Sequence, residues 1–305
     1  MRKLFAFPYS LWVIAFVIVP LLLVVYYAVT AVGPDGEIVF TMANIQRLFA
    51  GITPGQPFFQ RLYVRVAMHS VQMAVYTTAI CLLLGYPLAY ILASKGFSHK
   101  TFLIFMFIAP MWMNFLVRTY AWLTILERNG LINTLLQRMG LPIIDILFTD
   151  TAVLLGMVYN FLPFMVLPIY TVLTRMDRRV IEAAQDLGAG PGNVFARVVL
   201  PLSIPGIVSG ITMVFMPSVA TFIIPNLLGG GQYFMLGNLI QQQFMTVGNR
   251  HFGAAVALLL VVMMFISMAI LSFFDRRKED EGTGLKRLFK RAAKPSSDVE
   301  GGVKL

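Results

Sequence analysis

The chain has 305 residues, of which 58% are hydrophobic and 12% are charged, with a formal net charge of +10 and a mean hydropathy of +0.78. Because soluble domains carry about 25% charged residues, this composition excludes a globular domain that covers its own surface in water. The positive charge requires no nucleic acid partner, since an excess of basic residues on one side of a membrane and a basic tail beside anionic lipid account for it.

Six runs of mostly apolar residues are each long enough to cross a bilayer, which takes about 20 residues in a helix. In chain order, the predicted spans are 8–31, 66–94, 101–126, 151–174, 201–224 and 252–274. The first span has an apolar core longer than the roughly 7–15 residues of a signal peptide, so we interpret it as a retained signal-anchor helix. The segments between the spans are short, which predicts one transmembrane domain over 1–276 and a basic tail over 277–305.

The distribution of basic residues predicts the orientation. Most lysines and arginines lie in the N-terminus, in the loops around 95–100 and 175–200, and in the tail, all on one side of the predicted bundle. Cytoplasmic loops carry an excess of Lys and Arg, so both termini and the 175–200 loop are predicted to be cytoplasmic. On the outer side, we expect residues 236–244 to form a short helix that dips into the bundle. In the fifth span, Gly206 and Gly210 are expected to allow a close helix approach.

The 175–200 loop is the only long polar stretch between predicted spans on the predicted cytoplasmic side, and its apolar residues recur with helical spacing. The stripe consists of Val180, Ala183, Ala184 and Leu187. Asp177 is the expected N-cap of this helix and Gly188 its expected C′ residue, and Gly190-Pro191-Gly192 predicts a break before a second short helix over 193–200. We interpret the loop as a docking element for a soluble partner. The alternative is an interfacial helix on lipid headgroups, but the stripe is narrow and lacks large side chains.

Within this loop, Glu182-Ala183-Ala184 is followed by Gly188 and, after a hydrophobic run, by Leu200-Pro201. This arrangement resembles the E-A-A-x-x-x-G…L-P signature of bacterial ABC importer permeases. The resemblance implies an all-α membrane protein of six transmembrane helices with the binding-protein-dependent ABC importer permease (MetI-like) fold. It also implies that the loop is the coupling helix held by an ATP-binding subunit, with Glu182 and the arginines at the rim of the contact. The assigned ATPase-coupling residues are Arg179, Glu182, Ala183, Ala184, Asp186, Gly188 and Pro201.

Other stretches narrow the resemblance. Residues 85–90, 114–120 and 162–165, together with Gly237-Asn238 and 252–255, are similar to PotB-type permeases of spermidine/putrescine uptake systems. The resemblance implies a heterodimer with a second related permease, two ATP-binding subunits and an extracytoplasmic polyamine-binding protein, in a bacterial inner membrane. It implies no enzyme activity and no cofactor in this chain, because ATP would be bound by the partner subunit, and the sequence contains no P-loop motif. The three histidines lack the spacing of metal ligands.

A polycation inside the bundle should meet carboxylates, oriented carbonyls or aromatic faces, yet no predicted span contains an Asp or Glu. The candidate substrate-pathway residues are Trp112, Asn114, Tyr159 and Asn160. The alternative role of the aromatic residues is interfacial anchoring, and that of Asn160 is an interhelical hydrogen bond. We expect Arg118, near the outer end of the third span, to extend to the membrane interface. If Arg118 faced the pathway, an anionic substrate would fit better than a polyamine.

We therefore predict the membrane-spanning permease subunit of an ATP-driven importer, with spermidine or putrescine as the expected substrate. Two alternatives stay open: a permease for another small solute, such as an anion or an amino acid, and a secondary transporter driven by an ion gradient. The lack of intramembrane carboxylates argues against the ion-coupled transporter, since such proteins commonly use these groups to bind the coupling ion. An intramembrane enzyme is disfavoured because the sequence contains no recognisable nucleophile–base or metal constellation.

Overall fold

Apolar helices form nearly the whole of the structure, a computed structural model that describes residues 2–33, 35–50, 61–94 and 100–270. Within these residues, five helices are long and apolar enough to cross a membrane without a break: Phe7–Ala28, Leu62–Ala93, Asp150–Arg175, Pro191–Ala220 and Arg250–Ile270. They correspond to the first, second, fourth, fifth and sixth predicted spans.

The elements in chain order are α1 (Arg2–Val13), α2 (Val19–Ala28), β1 (Thr30–Val32), β2 (Ile38–Phe40), α3 (Ala43–Phe49), α4 (Leu62–Ala93), α5 (Lys100–Trp112), α6 (Phe115–Leu126), α7 (Leu131–Arg138), α8 (Asp150–Arg175), α9 (Arg178–Asp186), α10 (Pro191–Val194), α11 (Leu200–Ala220), α12 (Ile223–Leu228), α13 (Leu236–Gln242) and α14 (Arg250–Ile270). β1 and β2 form an antiparallel hairpin. In the part of the chain that the structure describes, π-helical turns join α1 to α2, join α10 to α11 and extend α13, at Ile14–Ile18, Phe195–Val199 and Gln243–Val247.

The third predicted span, 101–126, is not one straight helix. The chain bends by 98° between Phe102–Trp112 and Phe115–Arg138. Asn114 makes this bend, because its backbone is extended at ψ 134° and its side chain accepts a hydrogen bond of 2.8 Å from the N–H of Leu116, which caps α6. The third predicted span is therefore a broken span, since a newly capped helix begins where hydropathy alone would continue the old one. With the bent pair counted as one crossing, the described residues contain six spans.

α4, α8 and α11 pack against one another at the centre of the bundle. Glycines bring α11 close to α8: a Cβ on Gly210 would lie 2.7 Å from Met165 Sδ, and one on Gly206 would lie 3.1 Å from the Cα of Ile169. Gly85 of α4 meets the same α8 residue, since its Cβ would lie 3.1 Å from Met165 Cγ. The close approach predicted for the fifth span is confirmed, and it depends on small residues, as is common where helices pack in lipid.

The end of the bundle opposite α9, which the predicted orientation puts outside and which we call the outer end, holds a second apolar cluster. It contains Phe252 and Leu236 with residues of α2, α3 and α4. α13 is buried from Leu236 to Leu239, and the N–H of Leu236 donates to Ser70 Oγ of α4 at 2.8 Å. The short helix expected at 236–244 is therefore confirmed as an element that enters the bundle.

At the other end, α9 is followed by one continuous helix, Pro191–Ala220, which contains α10, the π-helical turn and α11. The separate second short helix expected at 193–200 is wrong. In the π-helical turn, the N–H of Leu200 bonds to the carbonyl of Phe195, five residues back. This widened turn accommodates Pro201, whose ring would crowd the carbonyls of a regular helix and which has no N–H to donate.

Residues 1–264 form one compact unit. Residues 265–305 form a second unit, in which the structure describes the last residues of α14 through Ile270. The predicted tail, 277–305, lies outside the described residues, so the domain boundary at 276 stays a prediction.

Candidate functional site

α9 is a short helix capped at both ends by its own segment. At its N-terminus, Asp177 Oδ1 accepts a hydrogen bond of 3.0 Å from the N–H of Arg179. At its C-terminus, Gly188 has φ +80°, and the N–H of Ala189 bonds to the carbonyl of Ala184 at 3.1 Å. This Schellman arrangement confirms the C′ residue predicted from the sequence, and Asp177 is the predicted N-cap. The helix is therefore a well-defined element beyond the end of the bundle.

α9 presents two faces of different character. Val180, Ala183 and Leu187 are exposed on one face, and Leu187 shows 89% of its surface. The opposite face, which includes Ile181 and Glu182, lines a cavity of about 480 Å³ between α9 and the ends of α4 and α8. Glu182 is itself exposed, and the contacts of α9 with α10 and the π-helical turn set which face points outward. Its contact with an ATP-binding subunit stays a prediction.

The structure gathers the predicted coupling residues in one place with one exception. α9 and its C-terminal cap contain Arg179, Glu182, Ala183, Ala184, Asp186 and Gly188. Pro201 lies instead in the first turn of α11, beyond the π-helical turn. Within the described residues, no ion pair involves a charged side chain of α9. Their role in ATPase coupling stays a prediction, but their charges are available to another chain.

Aromatic and hydroxyl side chains that the sequence reasoning missed connect the α9 region to the bundle. The Phe195 ring makes edge-on contacts with Tyr86 at 5.8 Å and Tyr90 at 5.4 Å between ring centroids. Tyr86 Oη lies 2.9 Å from Ser203 Oγ, and Ser203 donates its own proton to the carbonyl of Leu200 at 2.8 Å, so Tyr86 is the donor to Ser203. The two tyrosines belong to a stretch that carried the family resemblance, which was the only sequence signal for them.

Two predicted pathway residues lie at the bend of the third span. Trp112, the last residue of α5, shows 74% of its surface and packs edge-on against Phe105 with 5.7 Å between ring centroids. Asn114 is exposed, and its side-chain oxygen is occupied in capping α6. Trp112 has the exposure of an interfacial anchor, and Asn114 has a structural role. A pathway role for either residue stays a prediction.

Tyr159 and Asn160 are neighbours in α8 with different surroundings. Tyr159 packs edge-on against Trp122 at 5.2 Å between ring centroids, and both line an apolar groove of about 330 Å³ between α4, α6 and α8. Asn160 is 1% exposed and donates to the carbonyl of Gly156 at 2.9 Å, within its own helix, while its Oδ1 has no hydrogen-bond partner among the described residues. A buried unpaired amide oxygen is costly. Of the four candidates, Asn160 is therefore the one that most needs a further partner.

Arg118 does not extend to the surface, contrary to the sequence-based expectation. It is 8% exposed, because α6 turns at Asn114 and packs on α12 and α8 instead of continuing along α5. Its Nε has no hydrogen-bond partner among the described residues, and its Cζ lies 5.9 Å from the centroid of the Phe115 ring. The consequence is a buried positive charge in the α6 segment.

A chain of amide side chains at the outer end was also missed. Asn238 is 3% exposed, accepts from the N–H of Met235 at 3.2 Å and donates to the carbonyl of Phe222 at 3.0 Å. Asn238 also donates to Asn226, which in turn donates to Gln241 Oε1 at 2.5 Å. These bonds join α12 to α13. In the residues that the structure describes, no three His, Cys, Asp or Glu side chains are grouped as metal ligands.

The chain is similar to known membrane components of transport systems. Residues 85–280 match the family described as binding-protein-dependent transport system inner membrane component. Over 255 residues the chain is 38% identical to the spermidine/putrescine transport system permease protein PotB of Haemophilus influenzae, an alignment that covers 83% of this chain and 86% of that protein. Over 263 residues it is 35% identical to PotB of Escherichia coli K12, covering 85% of this chain and 92% of the relative.

A solved structure supports the same fold. The chain superposes with a TM-score of 0.75 on a bacterial ABC transporter involved in the import of the acidic polysaccharide alginate, over 90% of this chain and 96% of that one, at 14% sequence identity. Likeness at this identity shows the fold alone, and the fold is the MetI-like one expected from the sequence. The family match and the two relatives agree with it. The chain belongs to the family of inner-membrane components of binding-protein-dependent ABC transport systems, and it is a non-catalytic subunit that spans the membrane.

Proposed function

We propose that this chain is the permease subunit of an ATP-driven importer for spermidine or putrescine. The observation that carries the proposal is α9, a helix capped at both ends, with Val180 and Leu187 exposed and with charged side chains that form no ion pair in the described chain. A bundle that only had to span a membrane would need no such helix, whereas a subunit driven by an ATPase needs a firm contact with it. The polyamine assignment is supported by the similarity to the two spermidine/putrescine permeases.

The assembly that we infer contains a second related permease, two ATP-binding subunits and an extracytoplasmic polyamine-binding protein. The first span supports contact with lipid or with a second permease, because Trp12, Phe16 and Leu22 each show more than half of their surface. Both termini and α9 lie on the cytoplasmic side in this proposal, which the excess of basic residues there favours.

In the proposed cycle, the ATPase holds α9 by its exposed stripe, and closure of the ATPase dimer moves the helix. The movement reaches the bundle through Phe195, whose ring touches Tyr86 and Tyr90 of α4. The buried bond from Tyr86 to Ser203 then makes α4 and α11 move together. Reorientation of these helices opens the bundle alternately to its two sides.

The proposed substrate pathway contains Trp112, Asn114, Tyr159 and Asn160. Ammonium groups bind to aromatic faces and to amide or backbone oxygens when carboxylates are absent. Asn160 Oδ1 is an acceptor in the core of the bundle with an unused hydrogen-bonding capacity. It is the residue of the set that we expect to contact an ammonium group directly.

The docking role of α9 is tested by Glu182→Arg in the complete transporter, reconstituted in vesicles with its partner subunits. We expect spermidine-stimulated ATP hydrolysis to fall by about tenfold or more, since like charges placed across an interface cost several kcal/mol, while the chain stays in the membrane. Glu127→Arg, which changes an exposed carboxylate at the end of α6, is the matched control and should leave hydrolysis unchanged. Normal uptake by a fully assembled Glu182→Arg transporter would contradict the docking role.

A permease for a small anion or an amino acid is the second candidate, and the observation that favours it is the buried charge of Arg118. Spermidine, putrescine and glutamate are compared as stimulants of ATP hydrolysis in the same vesicles. Stimulation by glutamate alone would overturn the polyamine assignment and leave the assignment as an ABC permease intact. An ion-coupled transporter, which would lie outside the family to which the chain belongs, predicts uptake that survives ATP depletion and is lost with the ion gradient.

A further inference from the structure

The bend of the third span brings together two features that attract negative charge. α6 is 12 residues long, and the first N–H groups of a helix have no carbonyl partner within it and lie at the positive end of its dipole. Asn114 satisfies one of these groups, the N–H of Leu116. The guanidinium of Arg118 lies beside the same turn, with Cζ 5.9 Å from the ring centroid of Phe115, because side chains of a helix point back toward its N-terminus.

Arg118 lacks the counter-charge that a buried guanidinium needs. It is 8% exposed, its Nε has no acceptor among the described residues, and it takes part in no ion pair there. Glu127, the next acid along the chain, lies about 13 Å further along the helix axis, at the opposite end of α6. The transfer of a guanidinium out of water without an anionic partner is strongly unfavourable. The site therefore requires an anionic group from outside the described chain.

The surroundings of the bend indicate where that group comes from. Apart from Asn114, the exposed residues around it are apolar or aromatic, and none is acidic: Trp112, Met113, Leu116, Val117 and Tyr120. A surface of this kind contacts lipid, and Trp and Tyr are enriched toward the membrane–water interface. α5 contains 13 residues and is about 20 Å long. A helix of that length that begins at the inner face ends beyond the middle of a hydrocarbon core of about 30 Å.

We propose that Arg118 and the N-terminal turn of α6 form a binding site for the phosphate of an anionic phospholipid in the outer leaflet. A guanidinium binds phosphate through two parallel hydrogen bonds, and a helix N-terminus binds the same group through its free N–H groups. The bound phosphate compensates the buried charge and holds the bent span against the bundle. The polyamine itself is not the ligand, since a cation would be repelled by both features.

The test measures bound lipid on the complete transporter in mild detergent after passage through vesicles of equal parts phosphatidylcholine and phosphatidylglycerol. The wild type should retain phosphatidylglycerol in preference to phosphatidylcholine. Arg118→Gln should lower the retained phosphatidylglycerol by about tenfold, the effect of losing one charge-assisted contact. Arg118→Lys should restore part of it, because the charge remains without the two-pronged geometry. The control is Arg128→Gln, which changes an exposed arginine between α6 and α7; this variant should retain the wild-type amount of phosphatidylglycerol.

Equal retention of phosphatidylglycerol by the wild type and by Arg118→Gln would overturn the proposal. So would loss of the second permease from the Arg118→Gln complex in either lipid, which would identify a carboxylate of that subunit as the counter-charge. Displacement of phosphatidylglycerol by millimolar inorganic phosphate would overturn the lipid assignment in favour of a soluble anion.

A measurement on the unmodified protein keeps the proposal testable if the variants do not assemble. A photoactivatable phosphatidylglycerol analogue in the same vesicles should label the peptide that contains residues 112–120 of the wild type, and labelling confined to other peptides would refute the site. Because both readouts are bound lipid rather than uptake, their failure leaves the proposed transport function untouched.

Discussion

The approach of α11 to α8 can be tested with a single methyl group. Gly210→Ala would place a Cβ 2.7 Å from Met165 Sδ and 3.1 Å from the carbonyl oxygen of the same residue. Carbon atoms in ordinary contact are about 3.5–4 Å from their neighbours, so both the side chain and the backbone of Met165 would have to move. Met165 is fully buried and its carbonyl belongs to α8. The two helices would therefore have to separate by a few tenths of an ångström.

Overpacking of this kind typically costs about 1–3 kcal/mol. We expect Gly210→Ala to fall near the upper limit, about 2–3 kcal/mol or roughly 30- to 150-fold in the folding equilibrium, because the new Cβ would crowd the backbone of the fully buried Met165 as well as its sulfur atom. Gly190→Ala is the matched control, since a Cβ there would have no heavy atom within 4 Å and the backbone has φ −64°. We expect that change to stay within about 0.5 kcal/mol of the wild type.

The assay is thermal unfolding of the purified transporter in detergent, followed by the loss of monodisperse protein on size-exclusion chromatography. Gly210→Ala should lower the midpoint clearly, and Gly190→Ala should leave it unchanged. If the two variants unfolded at the same temperature, α8 and α11 would not be packed at the distance described here. The arrangement of the central three helices would then be refuted.

Two further substitutions test the polar contacts of the bundle. Tyr86→Phe removes the donor to Ser203, which should cost about 1 kcal/mol of stability and lower the amount of polyamine taken up per ATP hydrolysed. The control is Tyr76→Phe, on an exposed face of the same helix, which should leave that ratio unchanged. An unchanged ratio in both variants would show that the bond between Tyr86 and Ser203 has no role in coupling. Asn238→Ala leaves two backbone groups at the outer end without partners and should cost roughly 2–4 kcal/mol in thermal unfolding. The half-buried Gln242→Ala should have a small effect, and equal losses would contradict the amide chain as a structural link.

The ends of α9 could be predicted from the sequence because helix caps are local. Asp177 needs only the N–H of a residue two positions away, and Gly188 needs only the freedom to adopt a positive φ. Neither requirement depends on the rest of the fold. The face that α9 turns outward is different, since it depends on the contacts of α9 with α10 and the π-helical turn. For this reason the sequence predicts the ends of the helix but not which of its faces lines the cavity.

The break in the third span shows why hydropathy could not locate a bend. Averaged hydropathy continues through Asn114, and the proline that precedes it, Pro110, gives no decisive signal. α8 contains Pro163 and Pro168 and remains one helix. What distinguishes Asn114 is a side chain that replaces a helical carbonyl, together with the packing of α6 on α12 and α8. The burial of Arg118 follows from that packing, so a sequence that does not locate the bend cannot predict that this side chain is buried.

The contact that links the α9 region to the bundle could not be predicted from the sequence, for a related reason. Tyr86 and Ser203 are separated by 117 positions in the chain, and each alone is an ordinary residue of an apolar helix. A single sequence gives periodicity and local hydrogen bonding but not pairing between distant helices. The small residues of the fifth span could still be recognised, because a pair of glycines four positions apart is itself the local feature that permits packing.

α4 is the element through which the two ends of the bundle can act on each other. It is one helix of 32 residues, with Tyr86 in the central apolar cluster and Ala67 in the outer one. Toward the α9 end it is bonded to α11 through Tyr86, and at the outer end Ser70 Oγ accepts the N–H of Leu236 at 2.8 Å. In the proposed cycle, we therefore expect a displacement of α9 that enters through Phe195 to move α13 and its amide chain as well. In the proposed cycle, this connection lets nucleotide hydrolysis on one side rearrange polar groups on the other without any charged relay inside the membrane.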